Sequence, residues 1–104
     1  MKISEIQKHA ADLCAKNDWN DRSVDQRFRY LISEIGELSN ELIKLNQQDQ
    51  DLDELKKTIG HEMFDVIWNI CDLANLLNID LEKYSKDKRD LNNQRDFSLI
   101  NSQT

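Results

Sequence analysis

The chain has 104 residues, 38% of them hydrophobic and 33% charged, and its formal net charge is −6 at pH 7. This length and apolar content suit one domain with one core. The chain has no proline and only two glycines, which favours an all-α fold. Its negative charge argues against a binder of nucleic-acid backbones, since such proteins carry a basic face. No apolar stretch of about 18 residues exists, so we expect no membrane partner and a cytoplasmic location.

The first predicted helix covers residues 4–16, where apolar residues recur on one face. Ser4 and Gln7 have the spacing of a capping box at its start. A polar loop at 17–22 follows and carries Trp19. The sequence therefore predicts a short amphipathic helix and a turn before the next element.

The second predicted helix opens at Ser23, which repeats the capping-box spacing with Gln26, and it runs to about residue 45. Its apolar residues alternate steps of four and three, as in a heptad seam. The residues of this seam are Val24, Phe28, Leu31, Ile35, Leu38, Leu42 and Leu45.

The third predicted helix starts after the cap residue Asp51 and covers residues 52–77, and a fourth follows at 81–95. The four helices form one bundle domain over residues 1–96, and we expect 97–104 to form a flexible tail. A helix of about 25 residues spans about 37 Å, whereas a compact domain of about 100 residues has a radius of gyration near 13 Å. The third helix is also apolar on more than one side, which requires more than one partner. We therefore expect a homo-oligomer, either a dimer or a dimer of dimers.

Two acidic pairs have a spacing of three residues, Glu34 with Glu37 and Glu62 with Asp65. Residues three apart lie on one face of a helix, and Asn69 continues the face of the second pair. If the two faces meet, four carboxylates converge, and such a group either recruits a cation or titrates at raised pKa. Oxygen ligands without His or Cys select Mg²⁺, with Mn²⁺ as the alternative. The pattern predicts a metal site suited to phosphate chemistry.

The alternative is that the acidic residues are solvated on the surface of a non-catalytic, oligomeric helical bundle. Both glycines lie beside the acidic pairs, Gly36 inside the first and Gly60 just before the second. Glycine within a helix costs about 1 kcal/mol relative to alanine. We therefore expect a close approach of a helix or a ligand at both positions.

The fourth predicted helix carries Lys88, Asn92 and Arg95 on one face, at spacings of four and three. Two cations beside an amide donor suit phosphate oxygens. A solvated helix face is the alternative for this set as well.

Together these motifs resemble those of MazG-type nucleotide pyrophosphohydrolases of the all-α NTP pyrophosphatase superfamily. The resemblance spans the chain from Trp19 to Arg95. It is carried by three motifs, Glu34-x-Gly36-Glu37-Leu38, Glu62-x-x-Asp65 and Lys88-x-x-x-Asn92-x-x-Arg95.

The resemblance implies a four-helix MazG-like bundle that hydrolyses (deoxy)nucleoside triphosphates, with Mg²⁺, to the monophosphate and pyrophosphate. A role in clearing unwanted nucleotides is implied with it. The carboxylates of the two acidic motifs are then both catalytic groups and metal ligands: Glu34, Glu37, Glu62 and Asp65. The substrate contacts are then those of the third motif, which reach phosphates or sugar across a subunit interface: Lys88, Asn92 and Arg95.

Base recognition is predicted at Trp19, which resembles a Trp near the base in related enzymes, and at Trp68. Asn69 is a further candidate substrate contact. A role in the core is the alternative for Trp68. The alternative substrate is phosphoribosyl-ATP, which related hydrolases use.

Overall fold

The computed structural model of the protein describes the backbone through Gln103 and the side chains of residues 1–95. The predicted tail at 97–104 lies outside the residues whose side chains are described. Within the described backbone there is no strand, and the predicted all-α fold of four helices is confirmed. None of the described helices combines the length and apolar character that a membrane span requires. The helices are α1 (Ile3–Lys16), α2 (Val24–Ile43, continued by a 3₁₀ turn at Lys44–Asn46), α3 (Leu52–Leu76) and α4 (Leu81–Gln103).

Side-chain caps fix the starts of the two long central helices. The Ser23 hydroxyl accepts a hydrogen bond from Gln26 N, and the Gln26 side chain accepts one from Ser23 N, which completes the predicted capping box. The Asp51 carboxylate accepts hydrogen bonds from the first-turn amides of α3. Ser23 and Asp51, the predicted N-caps of the two central helices, therefore act as the sequence indicates. At the other end of α3, Asn78 follows the helix with φ 55°, a left-handed conformation that Asn tolerates.

The capping box expected at Ser4 and Gln7 is wrong. Lys2 is the N-cap of α1 and makes no side-chain capping bond. The Gln7 amide instead donates to Asn75 Oδ1 at 3.0 Å and to Ile79 O at 2.9 Å. Its oxygen accepts from Leu81 N at 3.0 Å. Gln7 thus joins α1 to the turn between α3 and α4. Its side chain bonds to residues distant in sequence instead of capping the start of its own helix.

The core lies where α1 and α2 both pack on α3. Both cysteines are free thiols within it and pack as small buried residues. Its buried apolar residues are Ile6, Ala10 and Cys14 from α1, Leu31 from α2, and Leu55, Ile59, Cys71 and Ala74 from α3.

Much of the apolar sequence is not covered within the chain. Leu31 is the buried member of the predicted α2 seam, and most of the others are exposed. The radius of gyration is 17.6 Å, above the value of about 13 Å for a compact domain of this length. Exposed apolar residues recur on each helix at steps of three, four and seven. We call them the open apolar stripes: Phe28, Ile32, Ile35 and Leu42 on α2, and Met63, Ile67 and Ile70 on α3 with Leu77 at its C-cap.

The expectation for the two glycines is not met within the chain. A Cβ added at Gly36 or Gly60 would find no atom within 4 Å other than its own local backbone. Both positions therefore face open space within the chain. Close packing inside this chain is therefore not the reason for either glycine.

A buried carboxylate links the three packed helices. Asp72 on α3 is fully buried and forms ion pairs with Arg22, in the loop before α2, and Arg27, on α2. The two arginine side chains are only 12% and 13% exposed. Cys14 Sγ of α1 also donates to Asp72 Oδ1, at 3.4 Å. Burial and the neighbouring Asp72 carboxylate raise the pKa of the Cys14 thiol, so this group remains protonated.

We expect Asp72→Asn to lower the free energy of unfolding by about 3–5 kcal/mol, because it leaves two mostly buried guanidinium groups without a counter-charge. Asp12→Asn is the matched control, since it removes an ion pair to Lys8 whose side chains are 80% and 68% exposed. The control should lose less than about 1 kcal/mol. Urea unfolding followed by circular dichroism, at equal protein concentrations, measures both. Equal losses in the two variants would contradict the role given to Asp72.

Candidate functional site

The packing of α2 on α3 brings carboxylates from both acidic motifs together. Glu34 lies one turn after the buried Leu31 and is itself buried at the helix contact. One oxygen each of Glu34, Glu62 and Asp65 lie within 4.8 Å of one another. We call these three residues the carboxylate cluster. The sequence predicts this convergence from the two motif spacings.

Glu37, the fourth predicted ligand, lies at the edge of the cluster. It is exposed one turn further along α2, and it is not one of the three residues whose oxygens lie within 4.8 Å of one another. Its carboxylate nevertheless contributes to raising the pKa of Glu34 and of Glu62. Glu41, on the following turn, pairs with Lys44 Nζ at 3.0 Å.

The carboxylate cluster holds more negative charge than the protein compensates. Burial, followed by the charges of Glu37, Asp65 and Glu62, raises the pKa of Glu34 above its ordinary value. Burial and the charges of Glu37 and Asp65 likewise raise the pKa of Glu62. The ionised form of each group is therefore disfavoured unless a cation is added.

Two oxygen atoms of the cluster are buried without a partner. Oε2 of Glu34 and Oε2 of Glu62 accept no hydrogen bond from any residue whose position is described. Buried polar oxygens normally have a partner. Together with Asp65 they form an all-oxygen donor set, which suits a hard divalent cation such as Mg²⁺ or Mn²⁺ better than Zn²⁺. The residues present therefore fit the predicted metal site.

One pocket adjoins the cluster, and a second pocket shares with it the walls formed by Tyr30 and Trp68. One, of about 360 Å³, is lined by Glu34 and Asp65, and by His9 of α1. The other, of about 460 Å³, we call the aromatic pocket. The aromatic pocket is lined chiefly by Trp19, Asp21, Arg22, Arg27, Tyr30 and Trp68. The carboxylate cluster thus opens beside a pocket large enough for a small aromatic ligand.

The two predicted tryptophans meet at the aromatic pocket although 49 positions separate them in the sequence. Trp19 is 45% exposed on its loop, whereas Trp68 is half-buried on α3. Asn69 is buried beside them, and its amide donates to Asp65 O at 2.7 Å. Its oxygen accepts from Arg27 Nη1 at 3.0 Å. The oxygen and one amide hydrogen of Asn69 are therefore bonded within the protein, and its predicted substrate contact would use the second amide hydrogen.

Besides Tyr30, which lines both pockets, the sequence reasoning missed Arg22, Arg27 and Asp72 in this region. Arg22 Nε donates to both Asp72 oxygens, at 3.1 and 2.9 Å, and its Nη1 donates to Trp19 O at 2.9 Å. A signal for them exists in the sequence. Asp72 lies between Cys71 and apolar residues on the core face of α3, and a buried carboxylate requires a cationic partner.

The third predicted motif is not brought to the cluster within one chain. Lys88, Asn92 and Arg95 are exposed on α4. None of them makes a hydrogen bond or ion pair with another residue in the part of the chain whose side chains are described. The first turn of α4 is held to α1, where Ser4 Oγ donates to Glu82 Oε1 at 3.3 Å.

No family profile and no curated protein matches the chain. Two crystal structures of iMazG from Vibrio DAT 722, which differ in the position of the tag, do match it. Each is 36% identical to the chain. One match covers 91% of this chain and 97% of that one, with a TM-score of 0.63, and the other covers 89% and 99%, with a TM-score of 0.62.

The chain belongs to the MazG family. Identity at this level over nine-tenths of the chain confirms the resemblance to MazG-type nucleotide pyrophosphohydrolases that the motifs indicate. In this MazG protein, α2 and α3 contribute the acidic motifs, and the loop before α2 contributes Trp19.

Removing one charge from the cluster should stabilise the metal-free MazG protein. Because the pKa of Glu34 is higher in the folded than in the unfolded chain, its ionisation costs stability above that pKa. The cost disappears as the pH falls towards the pKa of an ordinary glutamate. We therefore expect Glu34→Gln, in EDTA, to unfold at a higher temperature than the wild type at pH 7.5, with a difference that shrinks towards pH 5.

Thermal unfolding at several pH values measures this difference. The control is Glu5→Gln, which removes an exposed carboxylate on α1 and should give no comparable gain. A Glu34→Gln protein that is less stable than the wild type at neutral pH would contradict the charge excess described for the cluster.

Proposed function

We propose that this protein hydrolyses (deoxy)nucleoside triphosphates to the nucleoside monophosphate and pyrophosphate, with Mg²⁺ or Mn²⁺, as part of nucleotide-pool house-cleaning. The observation that carries the proposal is a cluster of three carboxylates with two unpartnered buried oxygens, beside a pocket walled by aromatic rings. Membership of the MazG family supports the reaction type. Neither an exposed acidic surface nor a purely structural bundle needs unpartnered buried carboxylate oxygens.

In this proposal the three residues of the carboxylate cluster hold the cation, and Glu37 lies beside them. When bound there, the cation neutralises the polyphosphate and makes its phosphorus more susceptible to attack by water. Glu37 is exposed outside the three-residue group. We assign it the role of accepting the proton of the attacking water, while Glu34, Glu62 and Asp65 act as ligands.

The base occupies the aromatic pocket, where Trp19, Tyr30 and Trp68 supply stacking surfaces. The wall that Tyr30 and Trp68 share with the neighbouring pocket leads towards Glu34 and Asp65. A nucleotide bound this way directs its phosphates to the cluster. The hydrogen bonds that Asn69 makes to Arg27 and to Asp65 O hold the wall of the pocket in this arrangement.

The phosphates need cations that one chain does not bring to the cluster. Lys88, Asn92 and Arg95 form an exposed face on α4, and the open apolar stripes leave α2 and α3 without a partner on those sides. A homo-oligomer, as a dimer or a dimer of dimers, covers the stripes and allows α4 of one subunit to reach the cluster of another. Exposed apolar surface of this extent is typical of protein interfaces.

Anion-exchange analysis after incubation with Mg²⁺ and each canonical nucleotide should reveal a monophosphate and pyrophosphate. Glu37→Gln and Asp65→Asn should each reduce turnover by at least about 100-fold, because each removes transition-state stabilisation worth several kcal/mol. The helical circular dichroism spectrum should not change. Asp12→Asn, on the exposed face of α1, is the matched control and should retain activity.

Two other outcomes distinguish the alternatives. Calorimetric titration with Mg²⁺ and Mn²⁺ that gives no heat of binding would favour a non-catalytic bundle. Turnover of phosphoribosyl-ATP in preference to every nucleoside triphosphate would replace the substrate and leave the metal site unchanged.

Mixing two inactive variants tests whether the site is shared between subunits. Arg95→Ala and Asp65→Asn proteins should each be nearly inactive alone. Mixed after reversible unfolding and refolded together, they should regain activity, because some interfaces then combine an intact cluster with an intact α4. Static light scattering should give a mass larger than that of one chain at micromolar concentration, and a monomer would contradict the proposal.

A further inference from the structure

Asp72 supports two arginines, but it leaves them with different capacities to bind a ligand. Arg22 directs Nε and Nη2 to the Asp72 carboxylate and Nη1 to Trp19 O. Each of its three nitrogens therefore donates a hydrogen bond that holds the Trp19 loop to α3, and one hydrogen on Nη1 and one on Nη2 are left over. Arg22 is a structural anchor of the aromatic pocket.

Arg27 is held less completely, because its Nε forms an ion pair with Asp72 but no hydrogen bond, and it retains an unused edge. Its Nε lies 2.7 Å from Asp72 Oδ2, and its Nη1 donates to Asn69 Oδ1 at 3.0 Å. The guanidinium carbon lies 5.3 Å from the centre of the Tyr30 ring and 5.9 Å from that of Trp68. Among residues with described side chains, none accepts a hydrogen bond from Nη2. One hydrogen of Nη1 and both hydrogens of Nη2 remain available.

This arrangement produces a rigid donor fork on the wall of the aromatic pocket. Two contacts on Nε and Nη1, together with two neighbouring rings, fix the plane of the Arg27 guanidinium, so little rotational entropy is lost when a ligand binds. Asp21 also lines the pocket, so the two arginine charges are matched by two carboxylates, Asp72 and Asp21. A ligand edge made of acceptors is therefore favoured by the unused hydrogens of Arg27 and not by the net charge of the pocket wall.

We propose that Arg27 selects the base of the substrate, and that this protein prefers nucleotides whose base presents two adjacent acceptors, guanine and cytosine, over those of adenine. The inference rests on the proposed function and adds a base preference to it. Guanine offers O6 and N7 to an arginine fork, a common specific contact in base recognition. Cytosine offers O2 and N3 in the same adjacent arrangement.

Adenine and the remaining pyrimidines lack such an edge. On adenine the N6 amino group, a donor, adjoins both N1 and N7, so an arginine fork meets one acceptor and one donor. On uracil and thymine the N3–H donor separates the two carbonyl oxygens. A donor of Arg27 would then be left unpaired inside the pocket, and an unpaired buried donor is costly. This mismatch is the physical basis of the preference.

The test compares kcat/KM for dGTP, dCTP, dATP and dTTP in the wild type and in Arg27→Lys. We expect the wild type to prefer dGTP and dCTP to dATP by about tenfold, within the range for a bidentate contact to a base. Arg27→Lys keeps the charge beside Asp72 but lacks the planar fork, so the preference should fall below about threefold. Arg29→Gln is the matched control, because Arg29 lies on α2 with its side chain 80% exposed, and its base preference should equal that of the wild type.

Calorimetric titration of the wild type with dGMP, dCMP and dAMP measures base selection separately from hydrolysis. The order of these affinities tests the inference even if the Arg27→Lys protein does not fold. A uniform loss for all four triphosphates, with unchanged ratios, would place Arg27 on the phosphates and overturn the base assignment while hydrolysis stands. An absence of hydrolysis, with monophosphates bound in the expected order, would overturn the proposed reaction and leave base selection intact. A wild type that prefers adenine in both measurements would overturn the inference.

Discussion

The structure around the site depends on the contact between α2 and α3, which brings carboxylates together against their mutual repulsion. Leu31, Leu55 and Ile59 supply apolar packing at this contact, and Asp72 adds ion pairs that join α3 to the loop before α2 and to α2 itself. The carboxylate cluster can remain close together only because these other contacts fix the helices. Its raised pKa values and unpartnered oxygens are consequences of this imposed proximity.

The same helices place opposite charges in neighbouring regions. One turn after Asp65 on α3 comes Asn69, and Asp72 follows it, so the negative cluster passes into a region dominated by two guanidinium groups. Tyr30 and Trp68 lie between these regions and line both pockets. In the proposed function the two regions bind different parts of the nucleotide. The carboxylate cluster, with its cation, binds the polyphosphate, and the aromatic pocket, with the donors of Arg27, binds the base.

A single chain buries only part of its apolar sequence. The core is small, the radius of gyration is large for the length, and the open apolar stripes remain exposed. Gly36 and Gly60 also face open space beside the acidic motifs. These features agree with the homo-oligomer of the proposed function, in which further copies of the chain cover the open apolar stripes and α4 of one subunit reaches the cluster of another.

The sequence by itself determined the helices, both central N-caps and the helix faces that the acidic residues share, because these follow from local periodicity and from spacing within one helix. It predicted that Glu34, Glu62 and Asp65 converge only if the two faces meet, and the packing of α2 on α3 meets that condition. It did not determine that Gln7 would leave its own helix end for Asn75, nor that Arg22 and Arg27 would share Asp72. Those contacts join residues more than 40 positions apart, so only the packing of the helices decides them. The position of Glu37 outside the closest group was decided in the same way, because helical spacing fixes the direction of a side chain and tertiary packing fixes what lies opposite it.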